Sequence, residues 1–211
     1  GLVGDEGFRG EQQRRYGGCV LQRRAGHLGR IDDAGLDQVF VFSGGHVVAF
    51  VAFALLHFLD EVWPRVRDRA PEARLNIVGR APPETVLSRS GLHGVTVTSD
   101  VPSVIPYYLE AHVAIVPLRF VIGSNLKLPE AMAYGRPVVG YASALRRHGV
   151  GRESGVFPVA DSAEFACTLV ALLRDQRSAC EMGAKAHSAA VAMFSKTAAY
   201  DQLAAALGEM Q

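Results

Sequence analysis

The chain has only three cysteines in 211 residues, Cys19, Cys167 and Cys180, and no two are closely spaced. A scattered, odd-numbered set excludes the disulfide framework that staples small secreted domains, so reduced, buried thiols are expected. Excess charge of one sign is also missing: 22 basic side chains stand against 21 acidic ones, a formal charge of +1. Nucleic-acid binding needs a sustained basic field, so no nucleic-acid partner is expected. Long hydrophobic runs are absent as well. The longest, Val47 to Leu56, has ten residues, well short of the ~20 that span a bilayer. A buried helix is its default reading, and a membrane-docking face the alternative. The first thirty residues mix glycine and arginine with short apolar pieces, without the continuous apolar stretch of a signal peptide, so export is not expected. Six of the seven histidines, His46, His57, His93, His112, His148 and His187, do not fall at zinc-ligand spacings, and neither a P-loop nor a G-x-S-x-G pattern occurs.

What is present has the length for one good core and little more. Residues 1–38 are rich in glycine and arginine without a sustained period, and read as an irregular segment or the remnant of something larger. From Val39 onward, short β-branched runs alternate with longer helical patterns. That alternation predicts an α/β fold, a parallel sheet covered on both faces, over residues 39–211. Strands are expected at Val39 to Ser43, Arg74 to Val78, Val95 to Thr98, Val113 to Val116, Pro137 to Gly140 and Gly155 to Val159. Between the first two, Val47 to Arg69 reads as a helix kinked or ended near Pro64, and Ser103 to Ala111 as a shorter helix irregular at Pro106. Asp161 with Glu164 three positions on marks a capped helix start, and the pattern continues to about Leu173. Two alanine-rich amphipathic stretches, Gln176 to about Met193 and Thr197 to Leu207, close the chain as a helical tail.

The densest chemistry lies in Gly123 to Val139, where a glycine-bearing loop, a lysine, a helix glutamate and a helix stop follow the strand ending at Val116. A strand, loop and helix start make a phosphate-binding corner, because free N–H groups at a helix N-terminus attract anions. Gly123, Ser124 and Asn125 could bring backbone amides close to a ligand; their plain alternative is an ordinary turn. Glu130, about a turn into the helix, is an acceptor with two oxygens suited to a ribose diol, or else a solvated helix glutamate. Lys127 could neutralise a diphosphate or pair with Glu130 at i,i+3. Arg119 and Arg80 each follow a strand at its carboxyl end, the edge where open α/β sheets take ligands, although single surface arginines are common there. Gly44 and Gly45 offer a second phosphate turn, and Asp100 lies in a loop that could meet a base. No residue is a convincing nucleophile or general base.

Taken together, Leu75-Asn-Ile-Val-Gly-Arg80-Ala-Pro-Pro83, Ala114-Ile-Val-Pro-Leu-Arg119 and Lys127-Leu-Pro-Glu-Ala-Met-Ala-Tyr-Gly-Arg-Pro-Val-Val139 resemble, in order and spacing, the C-terminal half of retaining GT-B glycosyltransferases of the group 1 type. Phe42-Ser-Gly44 and Asp60 to Arg67 resemble the branch associated with exopolysaccharide gene clusters, and Ala160 to Phe165 resembles the family's closing helices. The resemblance covers about Val39 to Leu207. It implies a cytoplasmic hexosyltransferase domain, with the inner face of the membrane as a second location. Its donor would be a UDP- or GDP-sugar, used without an obligatory cofactor or metal, and its acceptor a glycan or lipid-linked molecule. By the same resemblance Glu130 holds the ribose and Gly123 to Asn125 the phosphate and sugar, and Arg80 and Arg119 stand where the branch also has arginine; Gly44, Gly45 and Arg80 are read beside them as further diphosphate contacts. Arg119 and Lys127 then carry catalysis by supporting the departing diphosphate.

Three residues or stretches depart from the family's pattern. Ile122 stands where many members have a glutamate on the donor sugar, and Val47 to Val51 is apolar where polar residues and a Pro-Asn pair are usual. Pro129 replaces a leucine and is expected to delay or kink the helix that aims Glu130. Residues 1–38 are too few for the acceptor-binding domain that such an enzyme needs. The domain is therefore expected to be inactive without one, and the alternative is a non-catalytic nucleotide-binding or interaction module descended from a truncated transferase.

Overall fold

In a computed structural model of the protein, the described residues are 38–43, 49–120 and 126–194. Residues 1–37, the stretches bearing Gly44, Gly45 and Gly123 to Asn125, and the helix expected from Thr197 lie outside them. Six strands form one sheet: β1 (Gln38–Ser43), β2 (Arg74–Gly79), β3 (Val95–Ser99), β4 (Val113–Val116), β5 (Val138–Tyr141) and β6 (Val156–Val159). Every pairing is parallel, and the spatial order is β3-β2-β1-β4-β5-β6. From β1 the chain steps outward to β3, then crosses back to place β4 on the other side of β1. This is the doubly wound order, with its topological switch between β1 and β4, and the strand bounds agree with expectation to within a residue or two.

The period of two along each strand supplies both cores. Leu75, Ile77, Val113, Ile115, Val139 and Tyr141 point to one face. Val78, Ala114, Val116 and Val138 point to the other. The first face is covered by α1 (Ala49–His57), a π-helical turn (Phe58–Val62), α2 (Trp63–Arg67) and α7 (Ser162–Arg174), with Phe58, Trp63, Phe165 and Leu169 at its centre. The second takes α4 (Ile105–Glu110), α5 (Lys127–Ala133) and α8 (Gln176–Phe194), through Tyr108, Leu128, Met132, Ala186 and Ala190. Short helices α3 (Glu84–Leu87) and α6 (Ala142–Leu145), and 3₁₀ turns at Arg146–His148 and Arg152–Ser154, complete the connections.

The helix between β1 and β2 breaks differently from expectation. The irregularity is the π turn at Phe58, where the Trp63 N–H reaches back five residues to the Phe58 carbonyl, and Pro64 sits in the first turn of α2. A proline ring collides with the carbonyl four residues earlier in an α-helix, and the widened turn upstream relieves that collision. Trp63, 2% exposed, satisfies its indole N–H on the His93 carbonyl at 3.0 Å. Pro106 causes no irregularity in α4 because it too lies in the first turn, where its missing N–H has no intrahelical role.

Cys167 is a free thiol as expected but exposed on α7 rather than buried, and at Cys180, half-buried and not a free thiol, the expectation of a reduced thiol fails. Of the ten-residue apolar run, Ala52, Ala54 and Leu55 are buried, but Phe53 stands 69% exposed. No helix among the described residues is long and apolar enough to cross a membrane.

The start of α7 is capped as its sequence predicts. Asp161 Oδ1 accepts from the N–H groups of Ala163 and Glu164, both at 2.9 Å, while Glu164 reaches back to the Ala160 N–H at 2.7 Å. The return bond thus falls one residue before the cap itself. Asp161→Ala is expected to cost about 1 kcal/mol, a fall of roughly 2–4 °C in Tm measurable by calorimetry.

Candidate functional site

The helix carrying Glu130, α5, runs from Lys127 to Ala133, with Tyr134 as its C-cap. Pro129 neither delays nor kinks it: as third residue of the helix it lies where N–H groups have no partner within the helix, and the Glu130 N–H already donates to the Leu126 carbonyl at 3.1 Å. The far end closes on Gly135, whose φ of 66° is left-handed. The Gly135 N–H bonds the Met132 carbonyl, and that of Arg136 bonds Ala131. That pair is a Schellman closure, and it turns the chain straight into β5 as the sequence predicts.

Lys127 and Glu130 share a face of this first turn, and both are half-buried. Burial pushes the Glu130 carboxyl above its ordinary range, while Lys127 and a hydrogen bond from Tyr108 pull it partly back. Burial likewise lowers Lys127, against the opposing pull of Glu130. Each is therefore held in its charged form at a cost, which an incoming group of opposite charge, or a hydrogen-bond donor to the carboxylate, would reduce.

Two tyrosines absent from the sequence-derived set complete this corner. Tyr108, on α4 and 1% exposed, directs its hydroxyl to Glu130 Oε2 at 3.5 Å. Tyr134 stacks on Tyr108 with ring centroids 4.8 Å apart and planes 18° from parallel. Burial first, and then the Glu130 charge, raise both phenols, Tyr108 well above the usual value, so both stay protonated near neutrality. Tyr134, four residues after Glu130, could have been found from helical spacing. Tyr108 is 22 residues away from Glu130, and nothing local signals the contact.

Arg119 and Arg80 emerge at the carboxyl ends of β4 and β2, the strands that flank β1, and both are exposed. The Arg119 guanidinium lies over the Tyr141 ring, 5.2 Å from its centroid, and its carbonyl accepts from the Ser143 hydroxyl. The Tyr141 hydroxyl lies 3.2 Å from Ser162 Oγ, which is 3.4 Å from His57 Nε2. Arg119 is thus seated by Tyr141 of β5 under its guanidinium and by Ser143 of α6 on its carbonyl, while the residue as a whole stays exposed. Beside Arg80, Ala81 and Asp100 take left-handed φ values of 45° and 54°. The Asp100 N–H extends the β2–β3 ladder to the Gly79 carbonyl at 2.9 Å, and Asp100 Oδ1 accepts from the Ala81 N–H at 3.4 Å. Two non-glycine residues held left-handed at one sheet edge store strain of about 1–3 kcal/mol each, a pattern that concentrates at binding sites. The structure therefore brings Arg80, Arg119, Lys127 and Glu130 to the carboxyl edge of the sheet. The five remaining candidates lie outside the described residues. No cluster of three metal-ligating side chains occurs among the described residues.

The parallel order, the switch between β1 and β4 and a carboxylate-bearing helix after β4 are joined by one finding from comparison with known families. Residues 37–175 match the family described as glycosyl transferases group 1. The chain belongs to that family. No curated protein matches it. Solved structures resemble it at low identity, which bears on the fold alone. TarM from S. aureus, in a structure with fondaparinux, alpha-GlcNAc-glycerol and UDP, superposes with a TM-score of 0.66 at 16% identity over 84% of this chain and 36% of that one. HepE from Anabaena, in complex with UDP and glucose, gives 0.62 at 18% identity over 83% and 49%. The C-terminal domain of the group 1 protein LpcC from Francisella tularensis gives 0.54 at 17% identity over 75% and 85%. The fold is the Rossmann-like half of a GT-B enzyme. The chain spans between about a third and a half of the length of the TarM and HepE structures.

Proposed function

We propose that this group 1 domain binds a nucleoside-diphosphate sugar at the carboxyl edge of its sheet and serves as the donor half of a retaining hexosyltransferase. The reading is carried by the Lys127–Glu130 turn, a half-buried cation and carboxylate on one face of a helix that starts at the sheet's ligand-binding edge. Glu130 suits a ribose diol, and Lys127 and Arg119 suit the diphosphate, whose leaving oxygen gains negative charge as the sugar departs. Arg80 and the loops bearing Gly44, Gly45 and Gly123 to Asn125 fill the remaining polar contacts in this reading. UDP in the TarM and HepE structures favours a uridine donor, with GDP-sugar as the other choice. The acceptor, glycan or lipid-linked, would be held by a further domain closing on this edge. A cytoplasmic place in exopolysaccharide synthesis, including at the inner face of the membrane, goes with this assignment.

Isothermal titration with UDP, GDP and ADP tests it. One of the three diphosphates is expected to bind, and to bind more tightly than its monophosphate and nucleoside. Heat from none of them would sink the proposal.

A second reading, a non-catalytic nucleotide-binding or interaction module, is favoured by exposed Phe53 and Phe120, 69% and 68% accessible, with Phe120 packed 6.4 Å from Phe50. Such an apolar patch fits a docking partner of any kind. Sugar transfer restored by adding an acceptor domain as a separate chain would exclude the inert module.

A further inference from the structure

Glu130 has two oxygens and therefore about four acceptor positions, more than a pair of ribose hydroxyls would use. A buried carboxylate that meets its ligand through only one edge keeps rotational freedom about its last bond, and it also remains prone to protonation. The structure supplies a second hydroxyl from the protein side. We infer that Tyr108 is a positioning residue for the nucleotide: its phenol holds Oε2 of Glu130 from beneath, so that the carboxylate presents its other oxygen and remaining lone pairs to the ribose diol. The inference rests on the donor-binding reading above, and it assigns a role to a residue that no motif in the sequence marks.

Four observations carry it. Tyr108 is 1% exposed, so its hydroxyl is committed to the protein interior, and Glu130 Oε2 lies within its reach at 3.5 Å. Its ring is clamped by Tyr134, stacked at 4.8 Å, and Tyr134 is itself the C-cap residue of the Glu130 helix. The clamp therefore ties α4 to α5 at both ends of one helical turn. Burial and the neighbouring carboxylate keep the Tyr108 phenol protonated, which makes it the donor and Glu130 the acceptor. Its hydrogen bond opposes the burial that favours protonated Glu130, so it biases the carboxyl towards the ionised form that can accept from two hydroxyls. At 3.5 Å the bond is long, and contacts of this kind tighten when a ligand presses on the acceptor.

The titratable groups acting on Glu130 or acted on by it are Lys127 and Tyr134 on its own helix and Tyr108 on α4. Lys127 on the same helix and Tyr108 on α4 both hold the carboxyl down in pKa. Losing Tyr108 leaves only the lysine to oppose burial. The Glu130 pKa must then rise, and the acid limb of nucleotide binding must move to higher pH with it.

The test is Tyr108→Phe, which removes one oxygen and keeps the ring and its stacking. In the free protein, carbon NMR of labelled glutamate reads the Glu130 titration directly, so this arm does not depend on any nucleotide binding. An upward shift of the Glu130 pKa in Tyr108→Phe is expected, and an unchanged value overturns the inference. In the second arm, UDP affinity is measured from pH 5 to 8. The variant should bind about 5- to 10-fold more weakly near neutrality, the loss expected for one ordinary hydrogen bond, since this one is long and acts on the ligand only through Glu130, and should lose affinity at a higher pH than the parent. A loss that is the same at every pH, with a lowered Tm, would mean that the tyrosine is only packing, and would also overturn it. In a Glu130→Gln background, Tyr108→Phe should have no further effect on the pH profile, since the two act through one interaction. A parent that binds no nucleotide would instead count against the donor-binding reading, while the NMR arm still decides the Tyr108–Glu130 coupling.

Discussion

Glu130→Gln is expected to melt at a higher temperature than the parent and to lose nucleotide binding by ~100-fold or more, as two charge-assisted hydrogen bonds to a ribose are removed. The opposite signs follow from the raised pKa of this carboxyl, whose first cause is burial. A carboxyl that binds its proton more tightly in the folded than in the unfolded state contributes stability that is fully present below its unfolded pKa. That contribution is lost as pH rises through the folded value. At neutral pH the ionised group therefore costs stability even with Lys127 beside it, and glutamine, neutral at every pH, is relieved of that cost. The difference in Tm between variant and parent should be largest near neutrality and should close as the pH falls past the ordinary carboxylate value of 4.5. Scanning calorimetry at four or five pH values reads this directly. A variant that melts lower than the parent at neutral pH would show that Glu130 serves the fold, and its candidacy as a ligand group would lose its main support. Holding a charge where the fold disfavours it is the signature expected of a residue kept for binding.

The second large effect lies away from the ligand edge, at Gly183 on α8. A Cβ there would overlap the carbonyl oxygen of Gly135, the left-handed residue that ends the Glu130 helix, and would also touch the ring of Pro137. Backbone meets backbone at this point, so no side-chain adjustment relieves the clash. Gly183→Ala should cost about 2–3 kcal/mol by overpacking, a drop of roughly 5–10 °C in Tm. UDP affinity should fall with it, because α8 can yield only by shifting α5. Gly155 repeats the arrangement, with φ of 66° and the Met182 carbonyl in the space that a Cβ would fill. The tail helix is thus seated on the loops before β5 and β6 by two glycine contacts. An alanine at 183 that leaves Tm unchanged would mean that α8 sits less closely than described.

These two sites also mark how far the sequence could be read. The strands were legible because β-branched runs such as Arg74 to Gly79 and Val113 to Val116 are short, bounded by turn residues, and buried on both faces. The turn into β5 was legible from Gly135 alone, since the left-handed region strongly favours glycine. The π turn at Phe58 was not, because a proline announces a break without saying which residue upstream will absorb it. Nor were the left-handed Ala81 and Asp100, where tertiary contacts at the sheet edge overrule the preference of the residue itself. At the site, Glu130 and Lys127 could be named from a single stretch of chain. The Tyr108 contact with Glu130 and the seating of Arg119 on Tyr141 depend on how separate helices and strands pack, and local patterns carry no record of that. The exposure of Cys167 is not legible for a similar reason: scattered cysteines are usually buried, but this one is exposed on α7.

The most direct test of the central claim is amide chemical-shift mapping of the intact chain during titration with UDP. The account predicts saturable shifts at the carboxyl edge of the sheet, around Gly79 to Ala81, Ser99 to Val101, Leu118 to Phe120 and the non-proline amides of Leu126 to Ala131, and their loss in Glu130→Gln. Shifts centred instead on the far side of α8, near Glu153, Lys185 and Ser188, or a titration that moves no amide at all, would contradict it.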